Sequence, residues 1–138
     1  MQLFRKREYI DLAKKPRKVM IFGTFDVLHE GHMYVIKKAK KHGNLTVVVS
    51  RDMTVKSLKG KFPRNNEQKR MYNLKKLKII DSVVLGNFND KYKIIEELKP
   101  ELICLGYDQK FFTDKLEKVL LDKGVDAEVI RFDEYKEK

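Results

Sequence analysis

In 138 residues the chain carries 31 Lys and Arg against 20 Asp and Glu, a formal net charge of +11, with three His, one Cys, no Trp and 42% hydrophobic residues. A chain of that length buries roughly two-thirds of the surface it exposes when unfolded, enough for one core but not two, so one soluble domain is expected. Cys104 is alone, which excludes a disulfide framework and reads as a structural thiol of a cytoplasmic protein, and apolar runs such as Val47 to Val49 fall far short of the ~20 residues a membrane span needs.

Residues 1–16 are charged and weakly periodic, lack an apolar signal region, and are set off by Pro16 as a basic N-terminal extension. Lys18 to Phe22 is a short apolar run ending at Gly23, the pattern of a strand buried on both faces. His32 to His42 places Met33, Val35, Ile36 and Ala39 at helical spacing between lysines, and Gly43 is expected to close that helix in the left-handed conformation. Leu45 to Ser50 reads as the second strand. Arg51 to Asn66, polar and Lys-rich with Gly60 and Pro63, reads as a mobile loop. Then come a helix over Glu67 to Lys78, a strand over Asp81 to Leu85, a helix from Asp90 to Leu98 stopped before Pro100, and a strand from Glu101 to Leu105 ending at Gly106. Lys115 to Lys123 is helical, Gly124 closes it, and Ala127 to Phe132 is the fifth strand. Strands alternating with helices predict an α/β fold, a parallel sheet covered on both faces and joined by right-handed crossovers.

Ligands of open α/β sheets collect beyond the carboxyl ends of the strands, where strand order reverses. Two such ends stand out. Gly23-Thr24-Phe25-Asp26-Val27-Leu28-His29-Glu30-Gly31-His32 runs from the first strand into a helix, whose free N–H groups and positive dipole end make an anion site. Gly23 and Gly31, lacking a Cβ, let the backbone approach a phosphate closely. His29 and His32, three apart at a helix start, are placed to donate to one phosphate and to stabilise charge that builds during phosphoryl-type transfer; the bland alternative is that they cap the helix or pack on Phe25. The second end is Gly106-Tyr107-Asp108-Gln109. Zinc is not expected, because the His29-Glu30-Gly31-His32 spacing differs from the helical His-Glu-x-x-His arrangement and no third ligand is evident beyond Asp26. Neither a Gly-x-Gly-x-x-Gly after a strand nor a P-loop occurs. The charge of +11 is explained either by lysines such as Lys37, Lys38, Lys40 and Lys41 facing water or by attraction of a polyanion. With dispersed lysines and no helix-turn-helix, zinc finger or RNP-type motif, nucleic acid is not the expected partner.

Gly23 to His32 resembles the (G)-T-F-D-x-L-H-x-G-H signature of the nucleotidylyltransferase superfamily. The resemblance continues through Arg51-Asp52, Glu67-x-x-Arg70, Lys78-Ile79-Ile80-Asp81 and Leu105-Gly106-Tyr107-Asp108-Gln109. It implies a Rossmann-like five-stranded parallel sheet of order 3-2-1-4-5 over residues 17–138. It also implies transfer of a nucleotidyl group from ATP or CTP to a phosphorylated small-molecule acceptor, with Mg²⁺ carried by the triphosphate and pyrophosphate released. By the same resemblance Gly23, Thr24, Phe25, Glu30 and Gly31 border the nucleotide, His29 and His32 hold the phosphates at the reacting centre, and Asp108 lies near the nucleoside. Arg70 and Lys56 or Lys59 neutralise phosphate charge, and Tyr135 borders the nucleotide or simply edges the sheet. The Gly-Tyr-Asp-Gln form of the second motif is most similar to the archaeal FAD synthases, which adenylate FMN; glycerol-3-phosphate cytidylyltransferases are the next most similar. The family often forms homodimers, and a dimer is carried over as an expectation. Where the family continues with a Ser/Thr-rich turn and a further helix, this chain reads Tyr135-Lys136-Glu137-Lys138, which keeps nucleotide binding without turnover as another reading.

Overall fold

In the computed structural model, which describes residues 16–109 and 115–136, the apolar run after Pro16 forms strand β1 (Arg17–Gly23). Its side chains alternate between the two faces of the sheet, as a strand's period of two requires. Val19 and Ile21 join one core cluster and Met20 joins the other, so β1 is buried on both sides. The remaining elements are α1 (Glu30–Lys40), β2 (Gly43–Val49), α2 (Asp52–Lys59), α3 (Glu67–Lys75), β3 (Ser82–Leu85), α4 (Lys93–Leu98), β4 (Leu102–Leu105), α5 (Leu116–Asp122) and β5 (Glu128–Arg131).

Among the described residues the sheet has five strands in the order β3-β2-β1-β4-β5, every neighbouring pair parallel. Ile36 and Ala39 of α1 and Leu74 of α3 pack on one face with Val19, Ile21, Leu45 and Val47. Ile94 and Ile95 of α4 and Leu116 and Leu120 of α5 cover the other, against Met20, Val48, Ile103 and Leu105. Each Val, Leu, Ile or Met side chain among them taken fully out of water contributes about 1.5–3 kcal/mol. Cys104 sits fully buried within β4, and burial pushes its thiol up to about 12, the behaviour of a packing residue. Among the described residues no helix is long and apolar enough to cross a membrane.

The chain leaves β1 for β2 and β3 on one side, then returns to pair β4 against the other edge of β1. The reversal point therefore lies between β1 and β4, which fixes where a crevice opens.

Two sequence expectations need correction. The stretch from Arg51 to Asn66 is not a mobile loop: it contains α2, which starts with Asp52 in its first turn and ends on Gly60 at φ 79. The loop that follows is pinned because Asp26 accepts from the backbone N–H groups of Arg64 and Asn65, both at 2.7 Å. Nor does Gly43 cap α1, which ends with Lys41 in right-handed geometry. Gly43 instead opens β2 beside Arg17, and a Cβ there would collide with the Arg17 carbonyl oxygen. The basic N-terminal extension expected over residues 1–16 lies, apart from Pro16, outside the described residues.

Candidate functional site

A cleft of about 400 Å³ opens at the reversal point, walled by the segment leaving β1, the start of α1, the loop after β4 and residues after β5. Its size is that of a small-molecule site. Gly23, Thr24, Phe25, His29, Gly31, His32, Asp108 and Tyr135 all line it, so eight of the sequence-predicted residues converge from four separate parts of the chain.

The β1-to-α1 segment is strained and well packed at once. Phe25 stands at φ 51, in the left-handed region that costs a non-glycine residue about 1–3 kcal/mol. Burial of its ring, 5% exposed, offsets that cost. The ring occupies the space beside Gly23, where a Cβ would stand only 2.6 Å from it; a Cβ on Gly31 would likewise crowd the His29 ring at 3.0 Å. These glycines therefore make room for side chains of the site, a more local reason than the close phosphate approach expected of them.

His29 is the N-cap of α1. Its Nδ1 accepts from the N–H groups of Gly31 at 3.1 Å and His32 at 3.4 Å, which leaves the proton on Nε2 as a donor. The capping alternative is thus realised, and it orients the ring rather than removing it from the cleft. His32 stacks on His29, with centroids 3.8 Å apart and planes 18° from parallel, and tilts against Phe25 at 5.1 Å. Burial first, and the neighbouring His29 second, lower the His32 pKa from 6.5 to about 4, with the Val27 backbone acting in the opposite sense. A neutral ring stacks on its neighbour without like-charge repulsion. Its Nδ1 is buried with no hydrogen-bond partner among the described residues, an uncommon condition for a polar atom in a folded protein.

This neutrality has a measurable consequence. Between pH 6.5 and about 4 the unfolded chain binds a proton at His32 that the folded chain refuses, so stability is fully present above pH 6.5 and is lost as pH falls towards 4. Asp26 acts lower: burial raises its pKa, but the N–H groups of Asn65 and Arg64 outweigh that and hold it below 3.8. Urea unfolding at pH 7 and pH 4.5 should show a larger drop for the wild type than for His32→Gln. Equal drops would show that His32 is not buried neutral.

The other sequence-predicted residues sit elsewhere. Arg70 does not face the cleft: it is 0% exposed and its guanidinium is spent inside the protein. Nε donates to the Asn65 carbonyl at 3.0 Å, Nη1 to the Thr24 carbonyl at 2.9 Å and Nη2 to Asp52 at 2.7 Å. Direct neutralisation of phosphate by Arg70 is replaced by a grip on the backbone of the cleft. Lys56 and Lys59 lie exposed on α2 and are absent from the cleft wall. Lys56 Nζ donates to the Gly60 carbonyl at 3.0 Å and lies 5.5 Å from the Phe62 ring centroid. Glu30 stands outside the wall and accepts from the Tyr135 hydroxyl at 2.9 Å, drawing the segment after β5 towards α1.

Tyr34 and Asp133 were missed by sequence reasoning although both line the cleft. Tyr34 was findable, since Gly31, Tyr34 and Val35 follow the i, i+3, i+4 spacing of one helix face. Asp133 carried no local signal. Among the described residues no group of three or more His, Cys, Asp or Glu is placed to hold a metal ion.

Comparison with known proteins agrees with this fold. The family model described as cytidylyltransferase-like matches residues 20–138. The chain is 43% identical over 119 residues to an FAD synthase of Aciduliprofundum boonei, covering 86% of this chain and 79% of that protein. It is 43% identical over 121 residues to an FAD synthase of Methanothermus fervidus, covering 85% and 83%. A crystal structure described as the lipopolysaccharide core biosynthesis protein from Thermoplasma volcanium superposes with a TM-score of 0.81 at 39% identity, over 86% of this chain and 97% of that one. A pantoate-beta-alanine ligase from Francisella tularensis shares the fold at a TM-score of 0.61 and 16% identity, over 99% of this chain and 67% of that one.

Proposed function

We propose that this chain, which belongs to the cytidylyltransferase-like family and is a nucleotidylyltransferase, makes FAD from ATP and FMN. A phosphate oxygen of FMN attacks the α-phosphorus of ATP, the bond from that phosphorus to the bridging oxygen of the β-phosphate breaks, and pyrophosphate leaves. The observation that carries the reading is the stacked His29–His32 pair in a cleft of nucleotide size, one ring oriented by the helix it caps and the other held neutral by burial against it. The relatives that are FAD synthases supply the choice of ATP and FMN.

In this reading the triphosphate lies over the N-terminus of α1. The His29 Nε2–H and the neutral His32 donate to its oxygens, stabilising charge that grows on the α-phosphoryl group and its leaving group. Both donors are fixed before the substrate arrives, so little reorganisation is needed in the transition state. Gly23, Thr24 and Phe25 form the backbone floor, and Gly31 gives the His29 ring its room. Asp108 accepts from the nucleoside ribose. Tyr135, tethered by Glu30, borders the nucleotide. Lys56 and Lys59 act through the field of a basic surface, and Arg70 acts by holding the Thr24 carbonyl. Among the described residues no donor set forms a protein cage for Mg²⁺, so the ion would be carried by the triphosphate, whose charge it would neutralise.

A thermal-shift screen of ATP, CTP, FMN and glycerol 3-phosphate, each with Mg²⁺, tests the substrate choice, because a ligand that binds only the folded state raises the melting temperature. ATP and FMN should shift it by several degrees. Shifts with CTP and glycerol 3-phosphate alone would reassign the chain to cytidylyl transfer.

A further inference from the structure

The loop that carries Asp108 is held from two directions by residues with no role in the reaction proposed above. From within, Gln109 folds back: its Oε1 accepts from the Gly106 N–H at 2.8 Å, and its Nε2 donates to the Phe22 carbonyl of β1 at 2.9 Å. One amide thus bridges the ends of β4 and β1, the two strands between which the cleft opens. From outside, Arg131 at the end of β5 reaches over: its Nη1 donates to the Gly106 carbonyl at 2.7 Å and to the Gln109 carbonyl at 2.9 Å, with the Tyr107 carbonyl at 3.5 Å. A single charged donor gathers carbonyls from both ends of the turn, so the turn cannot open without breaking charge-assisted hydrogen bonds. Asp108 sits between these two anchors and lines the cleft.

The geometry points to Arg131 and Gln109 as positioning residues that fix the Gly106–Gln109 turn and so set how strongly Asp108 discriminates a ribose bearing both hydroxyls. The inference rests on the nucleotide reading above. It deepens that reading by naming what orients the ribose contact. Gln109 acts along the sheet and Arg131 across it. Removing either leaves the other anchor in place, so the turn loosens without the core losing a side chain.

The test is calorimetric titration of ATP and 2′,3′-dideoxy-ATP, with Mg²⁺, into the full chain and into Arg131→Met, Arg131→Lys and Gln109→Glu variants. Gln109→Glu keeps the shape but turns the donor facing the Phe22 carbonyl into an acceptor. The wild type should favour ATP by about tenfold or more, the worth of one hydrogen bond to a charged group. In Arg131→Met and Gln109→Glu the preference should fall to about threefold or less, through weaker ATP binding, with cooperative melting retained. Arg131→Lys should keep an intermediate preference. If Arg131→Met does not fold, Gln109→Glu decides. An unchanged preference in folded variants overturns the inference, as does a wild type that binds both nucleotides equally. A wild type that binds neither removes the nucleotide reading itself. The expected change in preference without any FAD formation upholds the inference while the choice of FMN falls.

Discussion

Replacing His32 by Ala is expected to slow pyrophosphate release by about 10²–10³-fold, the loss seen when one preorganised donor is taken from a transition state. The His29 counterpart needs two variants, because that ring does two things. His29→Ala removes a helix cap worth about 1 kcal/mol together with a donor, whereas His29→Asn supplies a side chain that caps as well. Stability should therefore fall in His29→Ala and hold in His29→Asn, and the rate should fall in both. Steady-state pyrophosphate release and urea unfolding measured on the same preparations separate the effects. A rate that recovers in His29→Asn would reduce His29 to a cap.

Arg70→Met is expected to destabilise the fold by about 3–5 kcal/mol, the cost of breaking a buried pair and leaving its partner uncompensated. The Asp52 carboxylate and the carbonyls of Thr24 and Asn65 all lose a donor at once. Asp52 is also tied to Glu67, whose Oε1 accepts from the Asp52 N–H at 2.8 Å while Asp52 Oδ2 accepts from the Glu67 N–H at 3.1 Å. This reciprocal pair joins the starts of α2 and α3, and Arg70 extends it to the cleft through Thr24. Combining Arg70→Met with Asp52→Asn should recover part of the lost stability, since the orphaned charge is gone. The KM for the triphosphate should still rise, because the Thr24 carbonyl remains unheld. Denaturant unfolding of the two single variants and the double variant gives the coupling; additive losses would contradict a shared network.

What could be read from the sequence was local. The pattern of β1, the helical spacing of Ile36 and Ala39, and the histidines at a helix start are each carried by residues a few positions apart, and the structure keeps each group together. Cys104 was legible for the same reason, set among the apolar residues of β4. Helix α2 was missed because it buries little more than Val55, so its composition imitates a loop, although Asp52 in its first turn, Lys56 and Lys59 in its last and Gly60 after it are the usual end signals. Arg70 looks like one more surface cation on a basic helix. What buries it is the carbonyl of Thr24, 46 residues away. Arg131, exposed on an edge strand, and Asp133 beyond it acquire meaning only once β5 is laid beside β4. Long-range polar contacts leave no periodicity, and that is where the sequence was silent.

The most direct measurement is to incubate the full chain with ATP labelled at the α-phosphate, FMN and Mg²⁺, and to separate the products. The account predicts label appearing in FAD, with one pyrophosphate released for each FAD formed and both formed about 10²–10³-fold more slowly in His32→Ala. Label remaining in ATP, or reaching product only when CTP and glycerol 3-phosphate replace ATP and FMN, would contradict it.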